Sequence, residues 1–161
     1  MKDAQRLLDV LKETLRHQEQ VCQCMQEHKR LLIEGKDMAV PSMLEAIEQH
    51  SSAVIQLEHT RQEIVGKIAL DAGVEAQTLT ADTLLRLPAL LSVREELQKI
   101  TAQLRGVLQD IVQLRDEIQA LAQHAKAYSE MFLAALQQSI SKSNSYGVLP
   151  ALGSRFISVL T

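Results

Sequence analysis

Tryptophan is absent from this chain, and two Phe and two Tyr are the whole aromatic complement of its 161 residues. Six Gly and three Pro are too few to punctuate a fold of many short strands. Two cysteines, Cys22 and Cys24, stand two residues apart and offer no disulfide framework, which fits a reducing compartment. Charge of one sign is also lacking. The formal net charge is −3, and no basic cluster exceeds the Lys29-Arg30 pair, so nucleic acid is not an expected partner. Apolar runs such as Leu87 to Leu91, itself interrupted by Pro88, fall far short of a membrane span. The start, Met1-Lys2-Asp3-Ala4-Gln5, has no basic segment followed by an apolar one, so a cytoplasmic location is expected.

Present in quantity are Leu, Ala, Ile and Val, within a 46% hydrophobic fraction, together with Gln, Glu, Lys and Arg. That palette favours helices. Ala4, Leu8, Leu11, Leu15, Gln18, Cys22, Met25, Lys29 and Leu32 alternate by four and three, one face of a first helix that Gly35 is expected to end. A second helix is predicted from between Asp37 and Pro41 to Gly73. Its inward face is Met43, Ile47, Val54, Leu57, Ile64 and Ile68, broadened by Leu44, Val65 and Ala69. Thr80 or Asp82 can cap a short helix before Pro88 forces a break or a new start.

The third long helix is the clearest element. Val93, Leu97, Ile100, Leu104, Val107, Ile111, Leu114, Ile118, Leu121, Ala125, Tyr128 and Phe132 keep the alternation without a miss. From Ser92 to Leu136 it would extend roughly 68 Å at ~1.5 Å per residue. The expected fold is all-α: an elongated antiparallel bundle of three long helices, with a short helical segment between helices two and three. Residues 1–140 form the expected bundle, and 141–161 a serine-rich hinge and an apolar tail, with helix-poor character from Ser139 onward. The tail either folds back on the bundle from Pro150 or stays mobile and captures a partner helix. All four aromatics lie beyond residue 127.

Catalytic and metal-binding motifs are scarce. There is no Gly-rich phosphate loop, Gly-x-Ser-x-Gly elbow or His-Glu-x-x-His pair, and no acidic residue is followed by His three positions later. Cys22 and Cys24 would point about 200° apart on a helix, so they read as a core and a surface residue, not zinc ligands. His50, His59 and His124 read as dispersed edge residues. Arg61 falls at seam spacing; its plain reading is an edge arginine paired with Glu58, its sharper one a buried register-fixing group. No enzyme activity, cofactor or metal is expected.

The run Leu31-Leu32-Ile33-Glu34-Gly35-Lys36-Asp37, followed by Leu44 through Gly66, resembles the FlgN-type flagellar export chaperones. Within it, Leu57-Glu58-His59-Thr60-Arg61-Gln62-Glu63-Ile64 is similar to that family's Leu-Glu-x-x-Arg pattern. A short middle segment, Leu79 to Leu87, and a very long helix ending near Tyr146-Gly147 match its plan. The tail is shorter and less polar than the family's. The resemblance implies a cytoplasmic, non-enzymatic chaperone of flagellar type III export. Its implied clients are hook-associated junction proteins, bound by their C-terminal helices, with export-apparatus components and weak self-association as further contacts. The implied client-binding residues are Tyr128, Phe132, Leu136, Tyr146, Val148, Leu149, Leu152, Phe156 and Ile157. The competing reading is a helical scaffold that self-associates through the same seams.

Overall fold

A computed structural model describes residues 2–36, 40–76 and 79–145. These hold α1 (Lys2–Glu34), α2 (Val40–Asp71), a one-turn α3 (Ala81–Leu84), a 3-10 segment (Pro88–Val93) and α4 (Arg94–Ser145). No strand occurs among the described residues, and the fold is all-α as the periodicity predicts. The chain divides into two compact units, Met1–Ile118 and Gln119–Thr161.

The punctuation of the first unit follows from its residues. Gly35 and Gly73 both adopt φ of 66°, a left-handed conformation that suits glycine because it has no Cβ to clash. Each closes its helix with the same paired bonds. Lys36 N donates to Leu31 O (2.9 Å) and Gly35 N to Leu32 O (3.3 Å); Val74 N donates to Ala69 O (3.0 Å) and Gly73 N to Leu70 O (3.1 Å). Pro41 sits in the first turn of α2, where its missing N–H costs nothing. Thr80, not Asp82, caps α3: Thr83 N donates to the Thr80 hydroxyl while Thr80 N donates to that of Thr83. Pro88 opens the 3-10 segment, so α4 starts at Arg94 and not at Ser92. Glu95 and Glu96 then place negative charge at its N-terminal dipole end.

Side-chain pairings fix the directions. Ala4, Leu7 and Leu8 at the start of α1 share a core with Ile64 and Ile68 near the end of α2, so the two run antiparallel. The first part of α4 runs parallel to α1, because Lys12 pairs with Glu96 (3.1 Å) and Lys29 with Glu117 (2.7 Å). Leu90, Val93, Leu97 and Ile100 complete that core. Burying each such Leu or Ile stabilises the unit by roughly 1.5–3 kcal/mol.

The seams are less uniform than a strict heptad predicts. Leu7, Val21 and Leu31, all off the α1 seam, are buried, whereas Leu11, Leu15 and Met25 on it are half-buried. Both α2 and α4 pack against α1, so its buried face is wider than one heptad row. On α2, Leu44 is 51% exposed and does not join the inward face.

Within the second unit, α4 continues through Ser145, past the expected end at Leu136 and through the serines read as helix-poor. The Ser139 and Ser141 hydroxyls donate to the carbonyls of Ala135 (3.0 Å) and Gln137 (2.8 Å), so they do not compete for the helical backbone. Neither Gly nor Pro occurs from Val107 to Ser145 to stop the helix.

Candidate functional site

The α4 seam changes character along its length. Leu97, Ile100 and Leu114 are buried and Leu104, Val107, Ile111, Ile118 and Leu121 half-buried, yet every described side chain from Ala122 to Ser141 is exposed. Tyr128 (73%) and Phe132 (56%) keep the register of the buried seam without being covered, and Leu136 is exposed as well. Met131, Leu133 and Ile140 are also exposed and widen the strip. The sequence reading missed these three because it followed one heptad row; a full helical projection of residues 122–141 would have found them. Elsewhere, exposed apolar residues such as Ile33, Ile55 and Leu70 are scattered, as on most protein surfaces. Six large apolar side chains within thirteen positions (128–140) are a patch, and patches of this kind mark interfaces. The remaining predicted residues, Tyr146, Val148, Leu149, Leu152, Phe156 and Ile157, lie outside the described residues.

Polar groups in the first unit are occupied structurally. Arg61 donates from Nε and Nη2 to the two carboxylate oxygens of Glu58, both at 2.6 Å, and remains about one-third exposed. This is the plain edge pairing. The Arg61 guanidinium holds the Glu58 carboxyl below the usual carboxylate range. Cys22 is buried and burial pushes its thiol up, away from reactivity; Cys24 is half-buried, deeper than a surface residue. Among the described residues no group of three or more His, Cys, Asp or Glu side chains could hold a metal ion.

His59 and His124 are exposed, but His50 is not the dispersed edge residue the sequence suggests. His17 and His50, 33 residues apart, meet across α1 and α2 with Nδ1···Nδ1 at 2.9 Å. Arg16 Nη2 lies 3.1 Å from His17 Nε2. Arginine can only donate, so Nε2 accepts and the neutral His17 ring donates from Nδ1 to His50. Burial first, then the Arg16 cation and His50, push His17 below its ordinary value, against the opposing pull of Glu13.

Below the ordinary histidine value of about 6.5 the unfolded chain binds a proton at this position that the folded chain resists. Stability is therefore full above that pH and falls as the solution is acidified through the lowered folded value. Thermal melts at pH 7.5 and pH 5.5 should show a lower midpoint in acid, and His17→Gln should flatten the difference. An unchanged slope in that variant would assign the acid sensitivity to other groups.

A family model described as FlgN protein matches residues 1–148, from α1 through the whole described length of α4. The chain belongs to the FlgN family. It is a flagellar type III export chaperone of helical-bundle architecture. The uncovered strip lies inside the span that this FlgN-family chain shares with the family, whereas Leu149, Leu152, Phe156 and Ile157 lie beyond it. No curated protein and no solved structure matched the chain. No described helix of the FlgN-family chain is long and apolar enough to cross a membrane.

Proposed function

We propose that this FlgN-family chaperone works in the cytoplasm and holds the C-terminal helical segments of hook-associated junction proteins before export. The observation that carries the reading is the exposed α4 strip of Tyr128, Phe132 and Leu136, flanked by Met131, Leu133 and Ile140. An amphipathic client helix has an apolar face that would aggregate if left in water, and a matching apolar face on the chaperone shields it. Aromatic side chains supply large contact area at low entropic cost, and interface energy concentrates on them. Tyr146, Val148, Leu149, Leu152, Phe156 and Ile157 belong to the same client-binding set. The chaperone performs no catalysis, binds no nucleic acid and does not insert in the membrane.

Calorimetric titration with a C-terminal fragment of a hook-associated protein tests the reading. Saturable binding is expected, with little response to salt because the strip is almost uncharged. Deleting residues 146–161 should leave the helical circular dichroism nearly intact and remove most of the binding. Undiminished affinity after that deletion takes the tail out of the mechanism. A chain that forms a stable higher oligomer and ignores the fragment is a scaffold instead.

A further inference from the structure

The nitrogens that could take a further proton at the His17–His50 contact already accept hydrogen bonds. His17 Nε2 accepts from Arg16, and His50 Nδ1 accepts from His17. The ring centroids stand 5.2 Å apart for an Nδ1···Nδ1 distance of 2.9 Å. The difference is about two imidazole radii, so the two nitrogens point at each other in a near-linear N–H···N bond. One added proton has a place. It makes His17 Nε2 a donor, and Glu13 Oε1, 3.5 Å away, replaces Arg16 as its partner. A second proton leaves N–H facing N–H across the contact, with a positive charge on each ring.

The surrounding charges do not offset that second proton. Glu13 and Arg16, the charged neighbours of His17 on α1, already pair with each other. On α2, Glu45 and Glu48 are exposed. Counting along α4 from the Lys12–Glu96 and Lys29–Glu117 pairs puts Lys99 and Arg105 nearest this level, and both are exposed and basic.

The place of the pair in the hairpin decides what its loss opens. At one end, Ile64 and Ile68 of α2 share a core with Ala4, Leu7 and Leu8 of α1. Across residues 41–63 of α2, by contrast, every side chain is exposed or half-buried. Little apolar area holds that half of the helix, so one cross-helix hydrogen bond is a substantial part of its attachment. The same end of α1 is tied to α4 by Lys29 and Glu117 at 2.7 Å. Lys29 holds the Glu117 carboxyl below the usual carboxylate range, so this tie survives mild acid.

We infer that His17–His50 is an acid-sensitive catch: when both rings carry a proton, the 41–57 half of α2 detaches from α1 while the 64–68 end stays closed and α1 stays on α4. The half-buried Met43, Ile47, Val54 and Leu57 are the apolar residues this opening uncovers.

Hydrogen exchange on the full chain at pH 7.5 and pH 5.5, corrected for the intrinsic rate, tests this. One pH unit below about 6.5, an open state that binds one proton more than the closed state gains about tenfold in population. Residues 43–57 should therefore lose about tenfold in protection in acid. Global unfolding also frees both histidines, so the size of the opening is the discriminating quantity. Residues 43–57 should be less protected than 64–68 at both pH values, with at most about half the urea dependence, because a partial opening exposes less surface. In His50→Gln, whose amide keeps a hydrogen bond to His17 without titrating, the acid loss at 43–57 should disappear. Equal protection and equal urea dependence of the two segments assign the response to global unfolding and overturn the inference. Protection of 43–57 that ignores acid in the parent, or an undiminished acid loss in His50→Gln, overturns it as well. If that variant fails to close the hairpin even at pH 7.5, the contrast between the two segments of the parent still decides.

Discussion

The double substitution Tyr128→Ser/Phe132→Ser should reduce capture of a hook-associated C-terminal fragment by at least about a hundredfold, on the basis that each anchoring aromatic carries about 1.4 kcal/mol or more of binding energy. Both rings are more than half exposed in the free chain and make no contribution to its core. The cost to the free protein is limited to helix propensity, about 0.5 kcal/mol or less per position. The double variant should therefore melt within a few degrees of the parent while losing its client. Isothermal titration and circular dichroism on the same samples separate the two effects. Affinity within threefold of the parent would show that these rings are not the anchors, and the tail would become the principal surface.

The opposite pattern is expected of Leu97→Ala. Leu97 is 2% exposed, in the first turn of α4, and shares its core with Ala4, Leu7, Leu8, Ile64, Ile68 and the fully buried Leu90. Truncating a leucine in such a position removes its transfer energy and leaves a cavity, about 2–5 kcal/mol in total. For a chain of this size each kcal/mol lowers the melting midpoint by about 2–4 °C, so a drop on the order of 10 °C should appear. Leu108→Ala, one turn after Leu104 at a site that is 45% exposed, is the matched control and should shift it far less. Equal midpoints for the two variants would place the stabilising core elsewhere.

The difference between those two variants reflects what a hydrophobic period can and cannot convey. It identified the three long helices, because a four-three alternation sustained over many turns is the mark of a continuous apolar face on a helix. Gly35 and Gly73 were legible as stops, and Thr80 as one of two candidate caps with Asp82, because their chemistry is local. Arg61 with Glu58 was legible for the same reason, lying within one turn of a helix. The His17–His50 pair was not, since its partners come together only once α1 and α2 have docked. Nor could the period show that the seam is covered at Leu114 and bare at Phe132: the alternation is the same whether a partner belongs to the chain or arrives from outside. The exposed strip was legible because aromatics are concentrated there, and its edges were missed because Met131, Leu133 and Ile140 do not lie on the row being followed.

The sequence separation of the contacts in the first unit has a consequence for synthesis. His17 meets His50 across 33 residues, whereas Lys12 reaches Glu96 across 84 and Lys29 reaches Glu117 across 88. Chains emerge from the ribosome at about 5–20 residues per second, amino end first, and local contacts close soonest. The α1–α2 hairpin should thus assemble on the nascent chain several seconds before Leu97 and Ile100 are available. For that interval its Ala4, Leu8, Ile64 and Ile68 face is itself open to passing helices, so the newborn protein briefly needs the kind of shelter that the finished one provides.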